Sequence, residues 1–184
     1  SAASDVYKRQ HRKRSHVNLQ KNKEALQEFI AAAKPKKETE TIPTLYGEGR
    51  ILAEDVVSTI CVPPWDNSQM DGYALRAADI AAASEGAPVR LSVSQRIAAG
   101  TTGTELAPGT CARIFTGAPM PAGADCVVPQ EDVTAESGIV VFTRPAPAGA
   151  WVRKKAGDVD QGQTVAHVGE KLTPGILGLI ASVG

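Results

Sequence analysis

Ala112-Arg113-Ile114-Phe115-Thr116-Gly117-Ala118-Pro119-Met120-Pro121-Ala122-Gly123-Ala124-Asp125-Cys126-Val127-Val128 is the stretch on which the fold turns. Residues 112–116 alternate loosely with period two, the period of a pleated strand. Pro119-Met120-Pro121-Ala122-Gly123 then sets φ at its prolines and offers positive φ at its glycine, so the chain reverses. Cys126-Val127-Val128 is a short apolar run and reads as the next strand. The same grammar of short strand and Gly/Pro reversal extends in both directions. Upstream, Val89-Arg90-Leu91-Ser92-Val93 alternates with period two; downstream, Ile139-Val140-Val141-Phe142 and Val152-Arg153-Lys154 continue the series. Gly100-Thr101-Thr102-Gly103, Ala107-Pro108-Gly109 and Glu136-Ser137-Gly138 supply the turns between. The chain carries 17 Gly and 12 Pro in 184 residues, which favours short strands joined by tight turns. The pattern predicts an α+β chain, mainly β, built around a small barrel or sandwich.

Helical signals stand at the two flanks. Leu19, Leu26, Phe29, Ile30 and Ala33 recur at helical spacing, Asn18 can cap and Pro35 forbids continuation, which predicts a helix over 18–33. Its single apolar stripe has to be covered by something. Lys34-Pro35-Lys36-Lys37 reads as a solvated linker. Ile51-Leu52-Ala53 leads through a short helix or turn into a strand at Val56-Val57, which Pro63-Pro64 ends because consecutive prolines cannot donate to a ladder. Near the far end Thr173 is placed to cap and Pro174 to occupy the first helical position. Residues 1–16 are basic, with His11, Arg12, Lys13, Arg14 and His16 and almost nothing to bury, and read as a disordered tail or non-native scar.

Composition excludes several classes. Formal net charge is zero and aromatic residues are 4%, so neither a nucleic-acid partner nor a stacking platform for single strands is expected. No apolar run reaches the ~20 residues of a membrane span. Cys61, Cys111 and Cys126 are odd in number, widely spaced and set in apolar runs. They form no C-x-x-C, and read as buried reduced thiols of a cytoplasmic protein rather than a disulfide frame or zinc site.

Three stretches hold residues suited to chemistry. Pro63-Pro64-Trp65-Asp66-Asn67-Ser68-Gln69-Met70-Asp71-Gly72-Tyr73-Ala74 gathers short polar groups on a loop stiffened by prolines, as ligand loops do. The same Asp66, Asn67 and Ser68 also suit plain turn capping. At the end of the strand over 112–116, the Thr116 hydroxyl and the Gly117 amide are placed to face a ligand, though Thr is also an ordinary strand residue. Arg153-Lys154-Lys155-Ala156-Gly157-Asp158 sets a basic triplet beside a turn carboxylate. Such a triplet suits an anion and equally suits solvent.

Taken in this order, Pro-Pro-Trp-Asp-Asn-Ser-Gln-Met-Asp-Gly-Tyr-Ala at 63–74 and Arg-Ile-Phe-Thr-Gly-Ala-Pro-Met-Pro at 113–121 resemble the signature of molybdopterin molybdenumtransferases. That family includes the E domain of gephyrin. Gly49-Arg50-Ile51-Leu52-Ala53-Glu54-Asp55-Val56 and Asp125-Cys126-Val127-Val128-Pro129-Gln130-Glu131 are similar to it as well. The resemblance runs from about Asn18 to Gly184. It implies a small β-barrel-like domain (59–144) inserted into an extended α/β dimerisation domain (17–58 plus 145–184). It also implies insertion of molybdenum from molybdate into adenylylated molybdopterin with release of AMP, assisted by Mg2+, in a homodimer. The implied cleft lies between the β domain of one subunit and the nucleotide-binding domain of the other.

Position by position, the resemblance makes Asp71, Thr116 and Asp158 catalytic, the first two lining the cleft and the third being the aspartate after the basic stretch. Asn67, Ser68 and Gly117 are carried over as substrate-binding, and no metal ligand is assigned. The family usually has Gly two residues before the last of these aspartates, whereas this chain has Ala156 there, which predicts a different local turn. No Ser-Thr-Gly-Asp-Glu-type segment of the nucleotide-binding domain matches, so the 184 residues are expected to be inert alone. A dimerisation or scaffold module of gephyrin type is the rival expectation. A free-standing magnesium-dependent phosphohydrolase is a third, for which no phosphate cradle is present.

Overall fold

The computed structural model describes residues 21–34 and 38–184, which fall into two units divided between Thr41 and Ile42. In the first unit, residues 21–32 form helix α1. Asn18, Leu19 and the basic tail of 1–16 lie outside the described residues. The predicted stripe is present, with Leu26, Phe29 and Ile30 exposed at 59%, 77% and 65%.

The second unit carries ten strands: β1 (Val56–Val57), β2 (Asn67–Ser68), β3 (Gly72–Leu75), β4 (Val89–Ile97), β5 (Thr110–Ile114), β6 (Cys126–Pro129), β7 (Thr134–Glu136), β8 (Ile139–Phe142), β9 (Val152–Arg153) and β10 (Thr164–Ala166). Six of them form one curled sheet in the order β6-β3-β5-β4-β8-β7, and β1-β10 and β2-β9 make two-stranded pairs. The fold is thus mixed α/β and mainly strands. Among the described residues no helix is long and apolar enough to cross a membrane.

Period two explains why the large sheet is stable on both sides. Tyr73, Leu75, Cys111, Cys126 and Val128 point into one buried cluster with Leu91, Val140 and Phe142. Their neighbours Ala74, Ala112, Ile114 and Val127 point into a second cluster with Ile97, Leu106 and Ala118. A strand covered on both faces has no reason to alternate in polarity. For that reason β3, in which all four residues are buried, hid inside a stretch that reads as a loop. Strands β2, β7 and β10 were likewise not foreseen; at two or three residues each they are too short to show a period.

One pairing in the sheet is parallel, β4 with β5. A parallel neighbour needs a long crossover, and residues 98–109 provide it. Gln95 clamps that crossover by accepting from the Thr104 amide (2.8 Å) and donating to its carbonyl (2.9 Å), while Leu106 is fully buried under it. At the far flank, helix α2 (Pro174–Val183) begins as the sequence predicts, with the Thr173 hydroxyl accepting from the Ile176 amide and proline in the first turn. Cys111 and Cys126 are buried, and desolvation pushes both thiols up to about 12. Cys61 departs from the expectation: it is only half-buried, because it lies outside the sheet, and its Sγ sits 3.5 Å from Asp160 Oδ1.

Candidate functional site

Strand β2 draws the three chemistry-bearing stretches together. On one side it meets the turn after β5: the Ser68 amide donates to Ala118 O (3.0 Å), the Gly117 amide to Ser68 O (2.8 Å) and the Met120 amide to Asp66 O (2.9 Å). On the other side it pairs with β9, Asn67 opposite Arg153 and Ser68 opposite Val152. A two-residue strand therefore sits between the Thr116 turn and the basic triplet. Gly117 makes its contact to Ser68 at φ 80°, a left-handed conformation that glycine adopts without steric cost.

Three residues after Ser68 the chain presents Asp71. Its Oδ1 accepts from both the amide and the hydroxyl of Thr116, each at 2.8 Å. These two bonds, aided by the nearby Arg113 guanidinium, hold the Asp71 carboxyl below the ordinary aspartate range. The carboxyl is ionised at neutral pH, so the Thr116 hydroxyl must donate to it. Oδ2 of Asp71 has no hydrogen-bond partner among the described residues. The pair thus offers the exterior only acceptors: Oδ2 and the lone pairs of Thr116 Oγ1. Just behind Asp71, Gly72 is obligatory. A Cβ there would lie 2.2 Å from Val128 O in the neighbouring strand β6.

The other predicted residues take different roles. Ser68 is buried and its hydroxyl donates to Met70 O at 2.6 Å, while Asn67, also buried, donates from Nδ2 to Trp65 O at 3.3 Å. Both side chains therefore brace the loop. The Gly117 amide, read from sequence as facing a ligand, is instead spent on Ser68 O, because β2 packs against this turn. Asp66, which the sequence offered as a ligand-loop carboxylate or a turn former, accepts Lys154 Nζ and the Lys155 amide, each at 2.8 Å. Those bonds and the Lys154 charge lower its carboxyl below the usual range.

Asp158 pairs with Arg153 across five residues of the same turn, both side chains about half exposed. The two neighbouring cations of the triplet are thus engaged, and an ion pair in such a setting contributes ~0–1 kcal/mol. Between them Ala156 adopts φ 59°, the left-handed region that favours glycine. Its own amide donates to Pro63 O at 3.0 Å, and the Asp158 amide donates to Val62 O at 2.9 Å. The turn of 153–158 is therefore stitched to the start of the Pro63 loop, and the Val62–Pro63 peptide bond there is cis.

Among the described residues no three His, Cys, Asp or Glu side chains gather as a metal site. A concavity of about 540 Å³ lies elsewhere, framed by Val128, Glu131, Phe142, Arg144 and Trp151. The residues that sequence reading passed over are Arg113 and Gln130, which hold Asp71 from behind. Their only sequence signal is that both stand inside the motif stretches of 113–121 and 125–131.

Comparison with known proteins bears on this arrangement. Residues 20–184 match the family model described as the MoeA N-terminal region (domain I and II). The chain is 44% identical over 147 residues to a molybdopterin molybdenumtransferase of Synechococcus elongatus, covering 79% of this chain and 36% of that protein. It is 38% identical over 168 residues to molybdopterin molybdenumtransferase 2 of Mycobacterium tuberculosis, covering 91% of this chain and 40% of that protein. The molybdopterin biosynthesis moeA protein of Pyrococcus horikoshii superposes with a TM-score of 0.84 at 32% identity, covering 88% of this chain and 43% of that one. The chain therefore spans well under half the length of the relatives it matches.

Proposed function

Because the chain belongs to the family of the MoeA N-terminal region (domain I and II), we propose that it supplies one wall of a molybdopterin molybdenumtransferase cleft. The reaction of the whole protein is insertion of molybdenum from molybdate into adenylylated molybdopterin, with release of AMP. The observation that carries this reading is the Asp71–Thr116 pair, an ionised carboxylate locked to a strand-end threonine at 2.8 Å. Since the pair presents only acceptors, its partner on the substrate is an N–H or O–H donor edge. The phosphates and molybdate are anions and need cations. The turn of Arg153, Lys154 and Lys155, joined to the same loop through Asp66, is one source of them. In this reading Asp158 holds Arg153 in place, Asn67 and Ser68 brace the loop, and Gly117 shapes the threonine turn.

Magnesium is implied by the resemblance, and among the described residues no three carboxylate, imidazole or thiol groups gather to hold it, Asp71 Oδ2 being the one free oxygen of the Asp71–Thr116 contact. Mg2+ demands near-octahedral oxygen coordination, whereas Asp66 and Asp158 are already engaged by Lys154, Lys155 and Arg153. We place its ligands in the remainder of the whole protein.

The insertion of 59–144 into an extended dimerisation region is also proposed. In support, the flanking segments run antiparallel beside each other. Ile51 bridges Lys171, Val56 pairs Ala166 and Val62 bridges Val159, so the chain leaves and returns along one stalk. Exposed Leu45, Tyr46 and Ile51, and separately Leu26, Phe29 and Ile30 on α1, are apolar groups suited to a homodimer contact. Three unpaired thiols fit a reducing cytoplasm. A purely scaffolding module, as in the gephyrin type, would use the same apolar groups, so chemistry must decide. Mixed with adenylylated molybdopterin, magnesium and molybdate, the whole protein should release AMP and the 184-residue chain should release none above background. AMP release by the whole protein at background level would favour the scaffold; enzymatic release by the 184 residues alone would contradict a shared cleft.

A further inference from the structure

We infer that Arg113 is a positioning residue: its guanidinium locks the backbone on both sides of the Asp71–Thr116 contact, so that the carboxylate and the threonine meet in one geometry. The functional meaning rests on the reading of Asp71 and Thr116 as cleft residues; the geometric claim does not. Arg113 stands on β5 opposite Tyr73 of β3, one residue from Gly72. Its Nη1 donates to Gly72 O (2.8 Å), just after Asp71, and to Ile114 O (3.0 Å), two residues before Thr116. Its Nη2 donates to the side-chain oxygen of Gln130, and the backbone amide of Gln130 donates to Asp71 O at 3.0 Å. Asp71 is therefore gripped at its own carbonyl and at the next, through one guanidinium and one glutamine.

The threonine side is gripped as well. The Arg113 guanidinium carbon lies 4.4 Å from the Phe115 ring centre and 5.4 Å from that of Tyr73, and Arg96 lies 4.5 Å from the same Phe115 ring. Phe115, the residue before Thr116, is thus held by two cations on its ring. A planar fork that stacks and donates at once is a task for arginine; a lysine brings the charge without the fork. All the hydrogen-bond acceptors of Arg113 are neutral, so its charge remains to act on Asp71 through space, in the direction that favours the carboxylate.

The test is nuclear magnetic resonance of the isotope-labelled 184-residue chain, following the Thr116 amide as Asp71 is titrated and measuring that amide's hydrogen exchange. In the unmodified chain the Thr116 amide should report a midpoint below the ordinary aspartate value and be protected. Arg113→Met should move the midpoint upward and speed exchange roughly tenfold, the loss that goes with one ordinary hydrogen bond. Arg113→Lys should restore most of the midpoint, which depends on charge, and little of the protection, which depends on the fork. A folded Arg113→Met chain with both readings unchanged overturns the inference. If that variant does not fold, Gln130→Ala decides: faster Thr116 exchange with a nearly unmoved midpoint supports the inference, and unchanged exchange overturns it. None of these readings involves molybdenum. Failure of the cleft assignment would show only in insertion assays, and failure of positioning only here.

Discussion

Asp71 and Asp158 make an instructive pair. Each follows a turn-rich segment, each accepts from one principal partner and each was legible as a chemistry-bearing residue from its neighbours. Their anchoring differs. Asp71 takes two bonds from Thr116 at the rim of a sheet buried on both faces, with Gly72 pressed against Val128 directly behind it. Asp158 takes a guanidinium from its own turn, in the open, next to an alanine held at φ 59°. The first geometry is inherited from the core and cannot drift without moving strands. The second is local, weakly held and carries its own backbone strain. A carboxylate that must meet a substrate edge is better served by the first kind of support.

The comparison breaks most visibly at Gly72. Gly72→Ala would drive a Cβ to 2.2 Å from Val128 O, backbone against backbone, so β3 and β6 must separate. A loss of ~3 kcal/mol or more is expected, read as a lowered urea midpoint. An unchanged midpoint would mean the sheet does not constrain Asp71. At the other aspartate the sign reverses. Ala156→Gly relieves a left-handed alanine, worth ~1–2 kcal/mol, against ~0.4–1 kcal/mol of added unfolded-chain entropy. A net gain of ~0.5 kcal/mol in the same urea assay is expected, and a loss would show that the turn carries no such strain.

Acid sharpens the contrast with the smallest effect. The Asp71 carboxyl lies below its ordinary value when folded. A carboxyl of that kind stabilises the fold above the unfolded value and loses its contribution as pH falls through the folded one. Asp71→Asn should therefore flatten the stability profile below about pH 4. Identical profiles for Asp71→Asn and the unmodified chain would contradict the bonding seen at Thr116.

Much of this was visible in the residues, for physical reasons. Period-two alternation marked β4, and Thr173-Pro174 marked the start of α2, because both signals are local. The convergence of the three chemical stretches was not visible. It depends on β2, two residues long, pairing with β9 more than 80 residues away, and on β3 pairing with β5, which sets Gly72 opposite Ile114. Burial on both faces erased the alternation that would have marked β3. Side-chain commitments were hidden too. Asp66 could be read as a turn former, but nothing in its surroundings named Lys154 as partner, and Ser68 gave no sign that its hydroxyl would turn back on Met70. Ala156 was readable as a departure from the usual glycine. Only the backbone shows that the left-handed conformation is adopted all the same.

The central claim is that Asp71 acts on the substrate from a position the fold supplies. The most direct measurement is molybdenum insertion by the whole protein carrying Asp71→Ala, alongside the far-ultraviolet circular dichroism and thermal melt of the same sample. The account predicts that insertion is lost while both folding measurements stay close to those of the unmodified protein. Near-normal insertion by a folded Asp71→Ala protein would contradict it.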